Sequence, residues 1–223
     1  MAVAGSTVTL TFDNGPSVST TPAVLDELRH RQIRAWFCVV GTQLQKAGAV
    51  ELARQALDEG HMVANHSLTH SVALGDDPSR DRAHREIRQM HYLMNAQLGR
   101  WGDRWFRPFG RGGAIGRHLL SASAIAELTA LEYSVALWNS VPRDWEDPRG
   151  WVETALDDVA RKDHTVVVLH DLPTGAMAQL PRFLDRLAER GVRFTDELPS
   201  SCVPIARGIP QQPLDALVRG NAL

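Results

Sequence analysis

Short apolar runs alternate with amphipathic stretches from one end of the chain to the other, the rhythm of repeated βα units around a mostly parallel sheet. Val8 to Phe12 reads as the first strand. Thr21 then has N-cap chemistry, with Pro22 at the first helical position and Val24, Leu25 and Leu28 on one face, so a first helix is expected to run to about His30. Ile33 to Val40 predicts a second strand and Val50 to Glu59 a second helix, stopped by Gly60, which accepts a left-handed conformation. Met62 to Asn65 predicts a third strand. After the Asp76-Asp77-Pro78 break, Ala83, Ile87, Met90, Met94 and Leu98 recur at the spacing of one long helix with an apolar face. Trp105 and Phe106 lead into a fourth strand, Tyr133 to Trp138 predicts a fifth, and Thr165 to Leu169 a sixth apolar enough to be buried on both faces. Trp151 to Ala160 is expected to be helical between the last two. Phe183 to Arg190, Gly191 and Val192 to Phe194 supply a last helix, turn and strand. Residues 199–223, rich in Pro and Gly, read as a surface tail of the same domain as residues 1–198, and no repeat or linker marks a second domain.

Composition narrows the picture. A chain of 223 residues, 43% apolar and 22% charged, is long enough for one large core. A net charge of -2 with the two signs interspersed offers no broad basic field for nucleic acid or anionic lipid. Neither is therefore expected as a partner. The first residues carry no basic segment followed by an apolar one; the expectation is a cytoplasmic protein, reversed to extracellular if the chain has been trimmed. Cys38 and Cys202 lie far apart with no Cys-x-x-Cys spacing, so two free thiols are expected.

The chemistry lies where the expected strands end. Phe12 is followed by Asp13-Asn14-Gly15-Pro16, Ala64 by Asn65-His66-Ser67-Leu68-Thr69-His70, Phe106 by Arg107-Pro108-Phe109-Gly110, and Leu169 by His170-Asp171. In barrel-like α/β folds the carboxyl ends of the strands share one face and carry the active site. His66 and His70, four positions apart, can set two imidazoles on one metal ion, or be an ordinary exposed pair. Asp13 alone could cap a turn, Arg107 could make a surface ion pair, and Asp144-Trp145 could be a loop; their order at successive strand ends argues against all being incidental. Other polar and aromatic residues are read as structure. His84 and His91 are expected on the exposed side of the long helix, His61 and His164 at turns, and Asp171 orienting a loop. Trp36, Trp105, Trp138 and Trp151 are expected in packing, with Trp138 near the pocket, and Asn139 receives no role.

The order of these motifs resembles the polysaccharide deacetylase family, the metal-dependent carbohydrate esterases with NodB homology. Thr11-Phe12-Asp13-Asn14-Gly15-Pro16 is similar to that family's Thr-Phe-Asp-Asp-Gly-Pro, and His66-Ser67-Leu68-Thr69-His70 to its His-Ser/Thr-x-x-His. Arg107-Pro108-Phe109-Gly110 matches its Arg-Pro strand end, one residue shorter, while Asp144-Trp145 and Leu169-His170-Asp171 match its later pairs. The resemblance implies an α/β fold, a distorted (β/α) barrel of about seven strands. It also implies hydrolysis of the amide of an N-acetylated amino sugar or oligosaccharide, assisted by a divalent metal of the zinc type. His66 and His70 would hold the metal, Asp13 would be the general base aligned by Arg107, and His170 the general acid oriented by Asp144. A backbone N–H near Phe109 or Gly110 would stabilise the oxyanion, with Trp145 and Leu169 walling the acetyl pocket.

Asn14 breaks the pattern, because the family carries there the aspartate that completes the metal's ligands. An amide oxygen coordinates but brings no negative charge, so affinity should fall or metal be absent. Three readings stay open: a deacetylase that binds metal weakly through Asn14, a metal-free hydrolase of cyclic imides or ureides similar to the allantoinase-like branch, and a carbohydrate-binding pseudoenzyme. An engineered change at this position, or deamidation of Asn14-Gly15 restoring the acid, would also account for it. The retained Asp13, Arg107, Asp144 and His170 favour an active hydrolase. The exact substrate and the oligomeric state are not legible in one sequence.

Overall fold

The structure, a computed structural model, describes residues 5–99 and 101–219. Seven parallel strands form its central sheet: β1 (Thr7–Asp13), β2 (Trp36–Val39), β3 (Met62–Asn65), β4 (Trp105–Phe106), β5 (Ser134–Val135), β6 (His164–His170) and β7 (Arg193–Phe194). Their spatial order is β5-β4-β3-β2-β1-β6, with β7 alongside the start of β1. The two ends of this order meet. Beyond Val135 the chain runs irregularly to Ser140, whose N–H donates to Val166 O at 3.1 Å and whose carbonyl accepts from Val168 N–H at 3.0 Å. That bridge joins the β5 segment to β6 and completes a distorted (β/α) barrel. The expected second and fifth strands are shorter than their apolar runs, because the strongly twisted ends of barrel strands leave the ladder early.

Helices cover the outside: α1 (Thr21–His30), α2 (Ala49–Asp58), α3 (80–98), α4 (Ala122–Ala130), α5 (Trp151–Ala160) and α6 (Leu180–Glu189). α4 follows Ser121, whose hydroxyl caps it by accepting from Ala124 N–H; no expectation covered this helix. Thr20, not Thr21, is the N-cap of α1. Thr21 is otherwise engaged, accepting from Ser17 N–H and donating to Asp171 Oδ2 at 2.5 Å. α3 is interrupted by a π-helical stretch, His84–Gln89, between Arg80–Ala83 and Met90–Leu98.

Alternate residues of the strands face either the helices or the barrel interior. Val8, Leu10 and Phe12 of β1 join the main core with α1 residues Val24, Leu25 and Leu28. A smaller cluster of Trp36, Cys38, Ala64 and Ala136 packs with Met62, Trp105 and Leu198. Two expectations need correction. Residues 199–219 are not a surface tail: Cys202, Ile205, Leu214, Leu217 and Val218 are buried, and Val218–Arg219 pairs with Leu120–Ser121. Turn-forming Pro and Gly shape this path, but the apolar residues between them reach the core. Residues 220–223 lie outside the described residues. His91 is not exposed but 5% accessible, because the α3 face towards Tyr133 is polar as well as apolar; His91 bonds Tyr133 Oη at 3.0 Å and Asn95 at 2.9 Å. His84, by contrast, is half exposed. Both cysteines are free and buried. No described helix is long and apolar enough to cross a membrane.

Candidate active site

Strand register assembles the site. β1 pairs with β6 along its whole length, so Asp13 lies opposite His170, and on its other edge Asp13 lies opposite Cys38 of β2. Asn65 of β3 is paired with Phe106 of β4, which brings the next residues, His66 and Arg107, together. Each side chain thus leaves its strand at one end of the barrel, and they converge on a cavity of about 380 Å³. Its floor carries Asp13, Asn14, His66, His70 and His170, and its walls include Phe109, Gly110, Trp138 and Trp145.

Two buried charged pairs define the polar chemistry. Arg107, fully buried, donates from Nη1 to Asp13 Oδ2 at 3.3 Å. Burial alone would raise the Asp13 carboxyl, but the Arg107 guanidinium, helped by the neighbouring His66 and His170, holds it below the ordinary carboxylate value. Arg107 is steadied in turn by Trp138, with its guanidinium carbon 5.3 Å from the ring centre. Across the cavity, His170 donates from Nδ1 to Asp144 Oδ1 at 2.8 Å and from its backbone N–H to Asp144 Oδ2 at 2.9 Å. Burial opposes charge on this imidazole, yet the bond to Asp144 and the nearby carboxylates outweigh it and raise the His170 pKa. The Trp145 ring stands edge-on to His170, 4.8 Å between centres.

The two other histidines are held neutral. His66 Nδ1 donates to the Arg107 carbonyl at 2.7 Å, which leaves its Nε2 with the lone pair. Burial lowers its pKa, and burial together with His66 lowers that of His70 to about 3. The His66 and His70 ring centres are 4.6 Å apart, with Phe109 4.2 Å beyond His70. Asn14 sits in the left-handed region at φ 73°, and its Oδ1 is buried without a hydrogen-bond partner, as is Asp13 Oδ1. Two neutral imidazoles beside an orphaned amide oxygen fit a small divalent cation, with one negative charge fewer than a carboxylate would give. Consistent with that substitution, no group of three His, Cys, Asp or Glu suited to a metal occurs among the described residues.

All the expected site residues except one come together here. Arg107 and Asp144 do so from behind Asp13 and His170, whereas Leu169 does not line the cavity. It lies on the opposite face of β6 from His170, as strand alternation requires, and is buried in the core. Val168 and Leu172 take the wall position instead. Sequence reading also missed the Arg111–Gly113 turn and Val141, which complete the wall. Trp138 ties that turn down, donating from Nε1 to Gly113 O at 2.8 Å and packing so closely on Gly110 that no Cβ fits there. Asp171 does anchor a loop: its buried carboxyl, raised to about 6 by burial, takes the Thr21 hydroxyl and packs on Gly15.

Residues 2–131 match the polysaccharide deacetylase family. A chitooligosaccharide deacetylase of a Bradyrhizobium species is 35% identical over 167 residues, covering 74% of this chain and 70% of that protein. A peptidoglycan-N-acetylglucosamine deacetylase of Listeria monocytogenes is 29% identical over 194 residues, and the chain spans only 38% of its length. Among solved structures, a family 4 carbohydrate esterase from Streptomyces lividans in complex with acetate superposes with a TM-score of 0.70 at 25% identity, covering 92% of this chain and 99% of that one. With its motif residues gathered at one end of the barrel and its sequence matched over more than half its length, the chain belongs to the polysaccharide deacetylase family.

Proposed function

We propose that this protein hydrolyses a non-peptide C–N bond, removing the acetyl group from an N-acetylated amino sugar or oligosaccharide. The observation that carries the reading is the opposed bias of two hydrogen-bonded pairs across one cavity: Arg107 on Asp13 favours the carboxylate, and Asp144 on His170 favours the protonated imidazole. Such a split separates the base from the acid of a single hydrolytic site. Asp13 takes the proton of the attacking water, and Arg107 keeps its carboxylate ionised and aimed. His170 gives a proton to the departing amine nitrogen, while Asp144 fixes the imidazole so that Nε2 faces the cavity. The backbone at Phe109 and Gly110, rigidly backed by Trp138, lies where an N–H can meet the developing oxyanion. Trp145, Val168 and Leu172 form an apolar wall suited to the acetyl methyl. His66, His70 and Asn14 would hold a divalent cation of the zinc type, which supplies Lewis-acid polarisation of the carbonyl.

The deacetylase names carried by the Bradyrhizobium and Listeria relatives support this substrate class. Asn14 favours a second reading, a cyclic imide or ureide hydrolysed by the same base and acid without metal. The two part company when purified protein is assayed with and without zinc on N-acetylglucosamine oligomers and on cyclic imides. Zinc-stimulated acetate release supports the first reading; metal-independent ring opening with no acetate release replaces it by the second.

A further inference from the structure

Among the described residues, two buried acids take no part in the proposed chemistry: Asp171, which anchors a loop through Thr21, and Glu86. Glu86, 1% exposed, lies in the π-helical stretch of α3. Its Oε2 accepts from Thr69 N–H at 2.8 Å, and its Oε1 accepts from the Thr69 hydroxyl at 2.8 Å and from Arg82 Nη1 at 3.2 Å. The backbone of the same stretch grips the other end of the loop: Glu86 O accepts from Leu68 N–H at 3.1 Å, and Ile87 O from Asn65 Nδ2 at 3.2 Å. A π turn breaks the regular ladder of a helix and recurs at functional sites; here its carbonyls serve the loop between His66 and His70. That loop needs holding. Ser67 and His70 both adopt left-handed backbone, at φ 71° and 50°, which is unfavourable for residues with a Cβ. Local bonds oppose that cost, Ser67 N–H to Asn65 Oδ1 at 2.9 Å and His70 N–H to Ser67 Oγ at 3.0 Å. Gly41 and Thr42 N–H donate to the carbonyls of Ser67 and Leu68 at 3.0 and 2.9 Å, while Thr69 N–H is held by Glu86.

We propose that Glu86 is a positioning residue for the loop from His66 to His70, clamping Thr69 so that the two imidazoles keep the separation and tilt at which they share a cation. The second half of that statement rests on the reading of His66 and His70 as metal ligands; the first half does not. Thr69 carries no chemistry in that reading, yet it receives both oxygens of the acid, and this is the geometry expected of an outer partner that orients ligands without touching them.

The test compares Glu86→Ala, Glu86→Gln and Thr69→Val with Met94→Ala, a buried α3 residue that makes no bond to the loop and serves as a control for lost stability. Hydrogen–deuterium exchange on metal-free protein should show faster exchange of residues 66–70 in Glu86→Ala, with Met94→Ala leaving that segment as in the parent. Zinc calorimetry and the visible spectrum of added cobalt should show affinity weakened by about 10- to 100-fold in Glu86→Ala. Glu86→Gln, which keeps size and one acceptor, should lie between, so the test survives a poorly folding alanine variant. Unchanged exchange of residues 66–70 in both Glu86 variants overturns the proposal, as does faster exchange with unchanged affinity and cobalt spectrum. Should the parent bind neither metal, the reading of His66 and His70 as ligands fails by itself, and the exchange comparison alone decides whether Glu86 clamps the loop.

Discussion

Arg107 carries its charge fully buried, and its worth lies in what it does to Asp13. Removing one partner of a buried pair costs about 3–5 kcal/mol because the other is left uncompensated, so Arg107→Met should lower the denaturant midpoint clearly and raise the Asp13 carboxyl. Urea unfolding measures the first effect; a midpoint unchanged from the parent would show that Asp13 is satisfied in some other way. His170 gives a prediction with a definite sign. Its folded pKa stands above its ordinary value of about 6.5, so the stability it contributes is complete below that pH and is lost as pH rises through the raised value. In its proposed role as proton donor, it should set the alkaline limb of the pH–rate profile above pH 6.5. Asp144→Asn removes the bond and the charge that cause the shift. It should move that limb to lower pH and reduce kcat, and an unmoved limb would assign it to another group. That Asp13, Arg107, Asp144 and His170 meet at one site was legible because each sits in a recognisable motif at a strand end. The resemblance put Leu169 in the acetyl wall, but next to His170 on a strand it faces the other side, and Val168 takes the wall position.

At the scale of elements, legibility followed periodicity. β1, β3, β6 and the apolar face of α3 were readable since each repeats every two or every 3.6 residues. The π stretch in α3 was not, because Ala83, Ile87, Met90, Met94 and Leu98 keep a helical rhythm through it and the widened turn changes only backbone bonding. Nor was the burial of Glu86 and His91, polar residues whose partners, Thr69 and Tyr133, are separated from them in sequence. α4 went unread because its signal is local: Ser121 Oγ accepting Ala124 N–H at 3.1 Å. Ser121→Ala should cost about 1 kcal/mol, within the usual range for losing an N-cap, and thermal unfolding would register it; a loss near zero would mean that packing of Ala124 and Leu128 holds the helix start unaided.

For the molecule as a whole, the barrel is closed and stoppered by segments that look like loops in the sequence. The path to Ser140 completes the strand ring, and residues 199–219 bury Ile205, Leu214, Leu217 and Val218 against the body. Each such side chain is worth about 1.5–3 kcal/mol when fully buried, against a total stability of about 5–15 kcal/mol for an ordinary domain. Truncation after Leu198 should therefore abolish cooperative unfolding followed by circular dichroism; a truncated chain with the parent's transition would restore the reading of this segment as a mere tail. The site also depends on the whole, since Asp13, His66, Arg107 and His170 are brought together only by the register of five strands, while Asn14 leaves the proposed cation site short of a charge. The most direct test of the account measures acetate released from N-acetylglucosamine oligomers during a zinc and cobalt titration, with the parent beside Asp13→Asn and His170→Ala. Metal-dependent release by the parent, falling by a factor on the order of 10² to 10⁴ in each variant, is the predicted result. Release absent at every metal concentration, or equal in parent and variants, would contradict it.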